Sequence, residues 1–514
     1  MKLNYKRTIF VGFAFFLISM FWTAYESIIP LVLTNKFGMS QTWSGVIMAA
    51  DNVLAVFMLP IFGALSDKCR AKSGRRTPFI TIGTLCAAIL LLSLTFADAT
   101  QLNNITDISA IDNPAALEVI YEEQKDATLM TPEGTKFVLS DLYTKEEFAQ
   151  IKSEDIVEED GTSYSPYTNY VTPARQACAA ARTAAAPTAL FSFIALLLGL
   201  LISMAIFRSP AVALMPDVTM KPLRSKGNAV INLMGTAGGI LSLVLGIVFA
   251  TSAIKNSMMS YTVFFGVIAA IMLVSLAIFR LKVREPLWAK EMQEDSVRYG
   301  IEEEEHSATE QRKLTSKEIR SLVFILLSIA LWYFGYNAVT SKYSVYATNI
   351  LHKNFNTTML MAQGAAIVAY IPSGMIASKI GRKKTIMAGV VLLASAFGIA
   401  AFLRASSPDW LMNVMFILAG IAWATINVNS FPMVVEMCSG GDVGKYTGFY
   451  YTASMAAQTV TPMLSGLLMD YLGMTILFPY ATIFVALALV TMACVKHGDS
   501  KIIAKTGLEA LDVD

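Results

Sequence analysis

Of the 514 residues, 55% are apolar and 15% charged, against roughly 25% charged in an ordinary soluble domain, so most of the chain cannot be given a water-facing surface. The net charge of +2 conceals a segregation, because residues 98–186 hold 16 Asp/Glu against 6 Lys/Arg while the remainder holds 22 against 34. Such a separation of sign fits the two faces of a bilayer and excludes a nucleic-acid partner, which needs a continuous basic face.

The chain opens with MKLNYKR and runs into an apolar stretch longer than the ~7–15 residues of a signal-peptide core, so it is read as a retained first helix. A spanning helix takes about 20 mostly apolar residues. Windows of that kind occupy 8–33, 42–65, 78–97, 188–214, 227–251 and 259–281, then 321–346, 357–378, 385–403, 409–435, 445–469 and 474–495. The expected fold is an all-α integral membrane protein of twelve transmembrane helices in two six-helix bundles. Residues 1–281 form the first bundle, 282–320 a mixed-charge linker with Glu302 to Glu305 in a row, 321–497 the second bundle and 498–514 a tail. The acidic insert, 98–187, is too polar for the bilayer; its aromatic residues suit a small folded cap, and a mobile loop is the equal alternative.

Short basic loops stay on the cytoplasmic side. Lys68, Arg70, Lys72, Arg75 and Arg76 follow the second span, Lys221, Arg224 and Lys226 the fourth, and Lys379, Arg382, Lys383 and Lys384 the eighth. Both termini and the linker are therefore expected inside, and the insert outside.

The second and eighth spans end alike. Gly63-Ala-Leu-Ser-Asp67-Lys68 is followed by Gly74-Arg75-Arg76, and Gly374-Met-Ile-Ala-Ser378-Lys379 by Gly381-Arg382-Lys383. Glycine lets a neighbouring helix approach closely, while the loop charges can pair in one conformation and release in another, which is the chemistry of a gate. This repeated signature resembles the loop motif of the major facilitator superfamily, over the whole chain. The first copy has four extra residues between acid and glycine, and it is similar to the sucrose-transporter and related glycoside–cation symporter group. Pro210, Leu214, Asp217 and Arg224-Ser-Lys226-Gly-Asn228-Ala229 agree with that group. The chain departs from it at Val212, where plant members carry arginine, and at Asp51-Asn52, where a Gly-Pro or Ser-Pro pair is usual. Ala55 and Leu59 stand where the sodium-coupled melibiose carriers place carboxylates, so their sodium site does not carry over.

An ionisable side chain at a helix centre costs about 2.5–3.5 kcal/mol on insertion scales, which makes Glu26, Asp51 and Arg208 the candidates for proton coupling. Asp51 comes first, at about mid-depth in MAADNVLAV. Trp22, Tyr25, Asn52, Trp332, Tyr333, Tyr336, Asn337, Asn427 and Asn429 offer hydrogen bonds and flat rings to a carbohydrate. Tyr450, Ser454 and Gln458, spaced four apart, share one helix face and join that set. Five scattered cysteines and three loop histidines form no metal or nucleophile cluster, so neither a cofactor, a metal nor an enzyme activity is expected.

The resemblance implies a secondary transporter, a sugar:H⁺ symporter of a di- or oligosaccharide such as sucrose or maltose, working by alternating access. Its partners are then a small-molecule substrate, a coupling cation and the lipid bilayer. It is expected as a monomer in the cell membrane, read as a bacterial cytoplasmic membrane. Export by proton antiport is the alternative, and a membrane sensor a more distant one. The topology is checked by an impermeant label or protease applied to intact cells, which reaches the insert; reaction at 282–320 instead would invert the orientation.

Overall fold

The computed structural model describes residues 3–154, 156–157, 163–220, 223–299, 315–435, 437 and 443–497. Glu302 to Glu305, Lys221, Glu436 and the 498–514 tail lie outside the described residues. Twelve long helices run through it: α1 (Tyr5–Leu31), α2 (Gln41–Lys68), α3 (Thr77–Asn104), α4 (Thr188–Val218), α5 (Arg224–Val248), α6 (Thr262–Lys282), α7 (Ser316–Tyr346), α8 (Phe355–Ile380), α9 (Arg382–Ala400), α10 (Asp409–Val435), α11 (Val443–Leu472) and α12 (Leu477–Ala493). Four of them start on a side-chain cap. Asn4, Ser40 and Asn354 each accept a first-turn amide, and Thr315 with Glu318 forms a capping box, each worth about 1 kcal/mol. Eleven of the helices are long and apolar enough to cross a membrane. Helix α11 is 30 residues long, but its Tyr, Ser, Thr and Gln make it too polar to qualify on composition.

Packing repeats between the halves. In the first, α1 packs on α5 and α6, α4 on α2 and α3, and α3 on α6; the corresponding pairs α7 with α11 and α12, α10 with α8 and α9, and α9 with α12 recur in the second. Across the interface α2 meets α11, and α5 meets α8, contacts that exchange under the same correspondence. Helix α1 meets α7 on the pseudo-twofold axis.

Hydrogen bonds between the halves cluster at the insert end. Asp470 of α11 accepts the backbone amides of Gln41 and Thr42 at 2.8 and 2.7 Å, placing an anion on the N-terminus of α2, where the helix dipole favours it. Lys342 Nζ, fully buried on α7, donates to Gln41 O at 2.7 Å. Helices α1 and α7 each end in a π-turn, Val32–Lys36 and Ala347–Leu351. These turns aim Asn35 and Asn349 at each other, and Asn349 Nδ2 donates to Asn35 Oδ1 at 2.8 Å. Asn356 Nδ2 donates to Thr251 Oγ1 at 2.9 Å beside the α5–α8 contact.

The insert is folded. Among its described residues, helices including Pro114–Gln124 and Thr172–Ala185, with two short antiparallel strand pairs, enclose a separate apolar core that includes Ile105, Leu117, Ile120, Phe148, Tyr167 and Val171. Of the sequence's two alternatives, the cap is the one observed. The linker's first part is also ordered: helix Glu285–Arg298 packs on α4 and buries Trp288, with Arg7 paired to Glu291 at 2.5 Å.

Close packing at the insert end depends on missing side chains. A Cβ on Gly45 would lie 2.0 Å from Pro462 O, and one on Gly466 2.2 Å from Gln41 O. The α2–α11 contact therefore needs glycine on both sides. Gly466→Val should force these helices apart and lower stability by about 2 kcal/mol, read as a fall in the thermal midpoint in detergent; an unchanged midpoint would refute the contact.

Candidate functional site

Between the halves lies a cavity of about 710 Å³, a size typical of small-molecule sites, roughly 300–1,000 Å³. On the first-half wall, α1 contributes Trp22, Tyr25 and Glu26, α2 contributes Asp51 and Asn52, and α4 contributes Arg208. These residues reach one surface because Ser19, Trp22 and Glu26 follow helical spacing on α1. Glu26, Asp51 and Arg208 interact electrostatically with one another, and both carboxylates also act on Tyr25. Asn52 Nδ2 donates to Asp51 Oδ1 at 3.0 Å. The Arg208 guanidinium sits over the Trp22 ring at 5.5 Å, and neither carboxylate forms a direct ion pair with it. Its donors are thus held by a π-face and turned to the cavity.

The second-half wall is aromatic and amidic. Tyr333, Tyr336, Asn337 and Thr340 form one stripe along α7, facing Gln363 and Tyr370 of α8 and Trp423 and Asn427 of α10, with Gln458 of α11. Tyr336 stacks on Trp423 with ring centroids 3.7 Å apart and planes 5° apart, and Tyr333 meets the same indole edge-on at 5.2 Å. Trp22 Nε1, Tyr25 OH and Asn337 Nδ2 are buried without a hydrogen-bond partner in the protein. All three belong to residues of the cavity wall, and a buried donor left unpaired costs about 1–3 kcal/mol.

Eleven residues expected to bind or couple line this one space: Trp22, Tyr25, Glu26, Asp51, Asn52, Arg208, Tyr333, Tyr336, Asn337, Asn427 and Gln458. Four others stand away from it. Trp332 is 0% exposed in the apolar core, because it lies about 100° around α7 from the lining stripe. Asn429 is buried and spends its amide on Thr425 O at 2.9 Å. Tyr450 packs between α10 and α11, its hydroxyl 3.3 Å from Ser430 Oγ, and Ser454 Oγ donates to Tyr451 O at 3.2 Å. Shared spacing with Gln458 thus did not bring those two to the cavity. Sequence reasoning missed Trp423, Tyr370 and Gln363. Trp423 stands one turn before Asn427, and Gln363 shares a helix face with Tyr370 two turns on, so the same i,i+4 and i,i+7 periodicity held the signal.

The loop after α2 builds a separate charged network. Arg76 binds Asp67 at 2.5 Å and Asp217 at 2.8 Å, and Arg75 binds Asp217 at 2.5 Å. Arg76 also donates to Ser66 Oγ and to Gly63 O. Burial works to lower the Arg76 pKa, but the Asp217 and Asp67 carboxylates outweigh it and hold it above the ordinary arginine value. Arg208 plays no part here. Buried Glu285, just after α6, accepts the amides of Arg75 and Arg76 at 2.7 and 2.8 Å, and the amide and hydroxyl of Thr77 at 2.8 and 2.7 Å. Its carboxylate caps the N-terminus of α3. Gly74 (φ +114°) leaves the room, since a Cβ there would stand 2.2 Å from Glu285 Oε2. In the second copy Gly381 also has positive φ, +94°, Gly374 lies in the last turns of α8, and buried Arg382 begins α9. Lys383 Nζ donates to Ala493 O and Val495 O at 2.9 and 2.6 Å, binding the C-terminus of α12. In the insert, burial pushes the Cys178 thiol up to about 12, which leaves it without nucleophilic character.

A family model described as Major Facilitator Superfamily matches residues 176–369 and 346–505, and one described as MFS/sugar transport protein matches 10–102. The MFS-type transporter ppzB of Metarhizium rileyi is 26% identical over 132 residues, 26% of this chain and 27% of that protein. Sucrose transport protein SUC4 of Arabidopsis thaliana is 33% identical over 58 residues, 11% of each chain. The chain thus spans about a quarter or less of the length of these curated relatives. The crystal structure of a D-xylose-proton symporter superposes with a TM-score of 0.56 over 95% of this chain and 97% of that one, at 15% identity. That likeness is one of fold.

Removing Glu285 orphans several buried donors, whereas Asp67 is 58% exposed and its pairing is screened by water. Glu285→Ala should therefore cost about 3 kcal/mol and Asp67→Asn under about 1 kcal/mol. Thermal unfolding of the purified variants compares them, and equal losses would overturn the ranking.

Proposed function

The chain belongs to the major facilitator superfamily, and on that premise we propose that it carries a small polyhydroxylated solute, a di- or oligosaccharide, together with a proton by alternating access. The observation behind this reading is the division of labour across one cavity. Ionisable Glu26, Asp51 and Arg208 stand on the first half, and the Tyr333–Trp423–Tyr336 cluster with Asn337, Asn427 and Gln363 stands on the second. Flat aromatic faces take the C–H faces of a sugar ring, and amides take its hydroxyls. A substrate bridging both walls draws the halves together, so that binding energy goes into the conformational change.

Coupling follows from the same arrangement. With no direct salt bridge to Arg208, Asp51 can hold a proton while solute binds and give it up when the other face of the cavity opens to water. Glu26 is its partner in that exchange, and Arg208 supplies the positive charge that stabilises the deprotonated pair. The Asp67–Arg76–Asp217 network and Gly63, Gly74, Arg75, Gly374, Gly381, Arg382 and Lys383 act as gating elements at the basic-loop end, away from the cavity. We place the protein in the cell membrane as a functional monomer.

Uptake of a labelled disaccharide panel into proteoliposomes, under an imposed pH or Na⁺ gradient, tests both solute and ion. A proton gradient should drive accumulation; release driven by that gradient would instead establish antiport. Asp51→Asn should retain binding and exchange while losing accumulation at least tenfold, because the amide keeps the shape and cannot cycle a proton. Accumulation by that variant at the parent rate would refute the assignment and move the role to Glu26.

A further inference from the structure

We propose that the folded insert is a strap across the two halves, which must release the second half each time the insert end opens. The inference rests on the alternating-access reading, and it uses residues outside the cavity.

The insert belongs mechanically to the first half. It continues directly from α3 and leads directly into α4. Gln101 Nε2 donates to Lys36 O at 2.8 Å and to Thr183 Oγ1 at 2.9 Å, and Thr183 Oγ1 donates to Phe37 O at 3.0 Å. Lys36, buried below the insert, binds Asp98 at 2.6 Å. Gly38 (φ +66°) lies so close to the Thr172–Ala185 helix that a Cβ would stand 2.3 Å from Gln176 O. With its own apolar core, this unit moves as one body with α1, α3 and α4.

It nevertheless reaches the second half at separate points. The turn at 131–135 lays backbone on backbone against the α11–α12 connection: Thr475 N donates to Pro132 O at 3.3 Å, and a Cβ on Gly473 would stand 2.5 Å from Gly134 N. Both glycines have φ of +91°, so each is required by conformation as well as by space. Thr168 Oγ1 contacts His352 Nε2, just beyond the end of α7. Gln176 Nε2 donates at 2.9 Å to Asn35 Oδ1, the same oxygen that Asn349 Nδ2 reaches across the pseudo-twofold axis. The strap therefore presses the α11–α12 connection beside Asp470, whose carboxylate caps α2. Separation of α2 from α11 carries the insert with the first half and breaks the 132–475 and 134–473 contacts together. The strap favours the state closed at the insert end and sets the rate at which that end opens.

A Pro132→Cys/Thr475→Cys pair tests this. A backbone hydrogen bond brings the two α-carbons to about 5–6 Å, within disulfide range. A third cysteine, Ser341→Cys, lies in the cavity lining next to Lys342, and its labelling by an impermeant thiol reagent from the insert side reports opening without any substrate. Oxidation should slow that labelling at least tenfold and reduction should restore it, so the same sample controls for folding. Gly134→Val, which pushes the turn off Gly473, should speed the labelling several-fold. Equal labelling in the oxidised and reduced states overturns the strap, as does failure of the pair to cross-link. Labelling in neither state overturns alternating access, and the strap with it, whereas absence of sugar uptake with redox-sensitive labelling overturns only the solute assignment.

Discussion

Hydrocarbon supplies no hydrogen-bond partner, so the backbone of the membrane-spanning part pairs within its helices, and charged groups buried there need partners inside the protein or a place on the cavity wall. The organisation follows from that constraint. Asp470 finds the free amides of α2, Lys342 finds the Gln41 carbonyl, and Asn35 finds Asn349. Each of these pairings joins one half to the other, so satisfying the polar groups and sealing the insert end are the same event. On the proposed alternating-access cycle, breaking the seal would expose the same groups to water, which can replace the lost partners.

The architecture repeats while the chemistry does not. Five intrahalf helix pairings recur, and the interface contacts exchange under the same correspondence. The cavity walls nevertheless differ, with two carboxylates and an arginine on the first half and rings and amides on the second. Twofold packing repeats the helix arrangement in both halves, while the asymmetric walls put charge on one half and rings and amides on the other. Tyr336 and Trp423, stacked almost in parallel, form a rigid surface on the proposed binding wall, which would lose little entropy if a solute docked there.

Helix ends carry much of the electrostatic work. Glu285 caps α3, Asp470 caps α2, and Lys383 binds the carbonyls at the end of α12. Charge placed at a helix terminus is compensated by the backbone dipole and needs no full counter-ion. This is why residues such as Asp470 and Glu285, unremarkable by position at the ends of apolar windows, become centres of contact once the helices assemble.

The sequence by itself determined the helix count, the repeat and the charged loops, because a bilayer imposes length, apolarity and charge asymmetry locally on each segment. It also singled out Glu26, Asp51 and Arg208, since an ionisable group in an apolar window is conspicuous without knowledge of its neighbours. Which polar residues share the cavity was decided by tertiary structure. Tyr450, Ser454 and Gln458 have one spacing and one face, yet only Gln458 lines it, because α11 lies against α10 along the first part of that face. Trp332 and Tyr333 are adjacent in sequence, and one is core while the other is wall. The insert's grip on Gly473, the Asp470 cap and the burial of Lys342 depend on partners hundreds of residues away, which local periodicity cannot report.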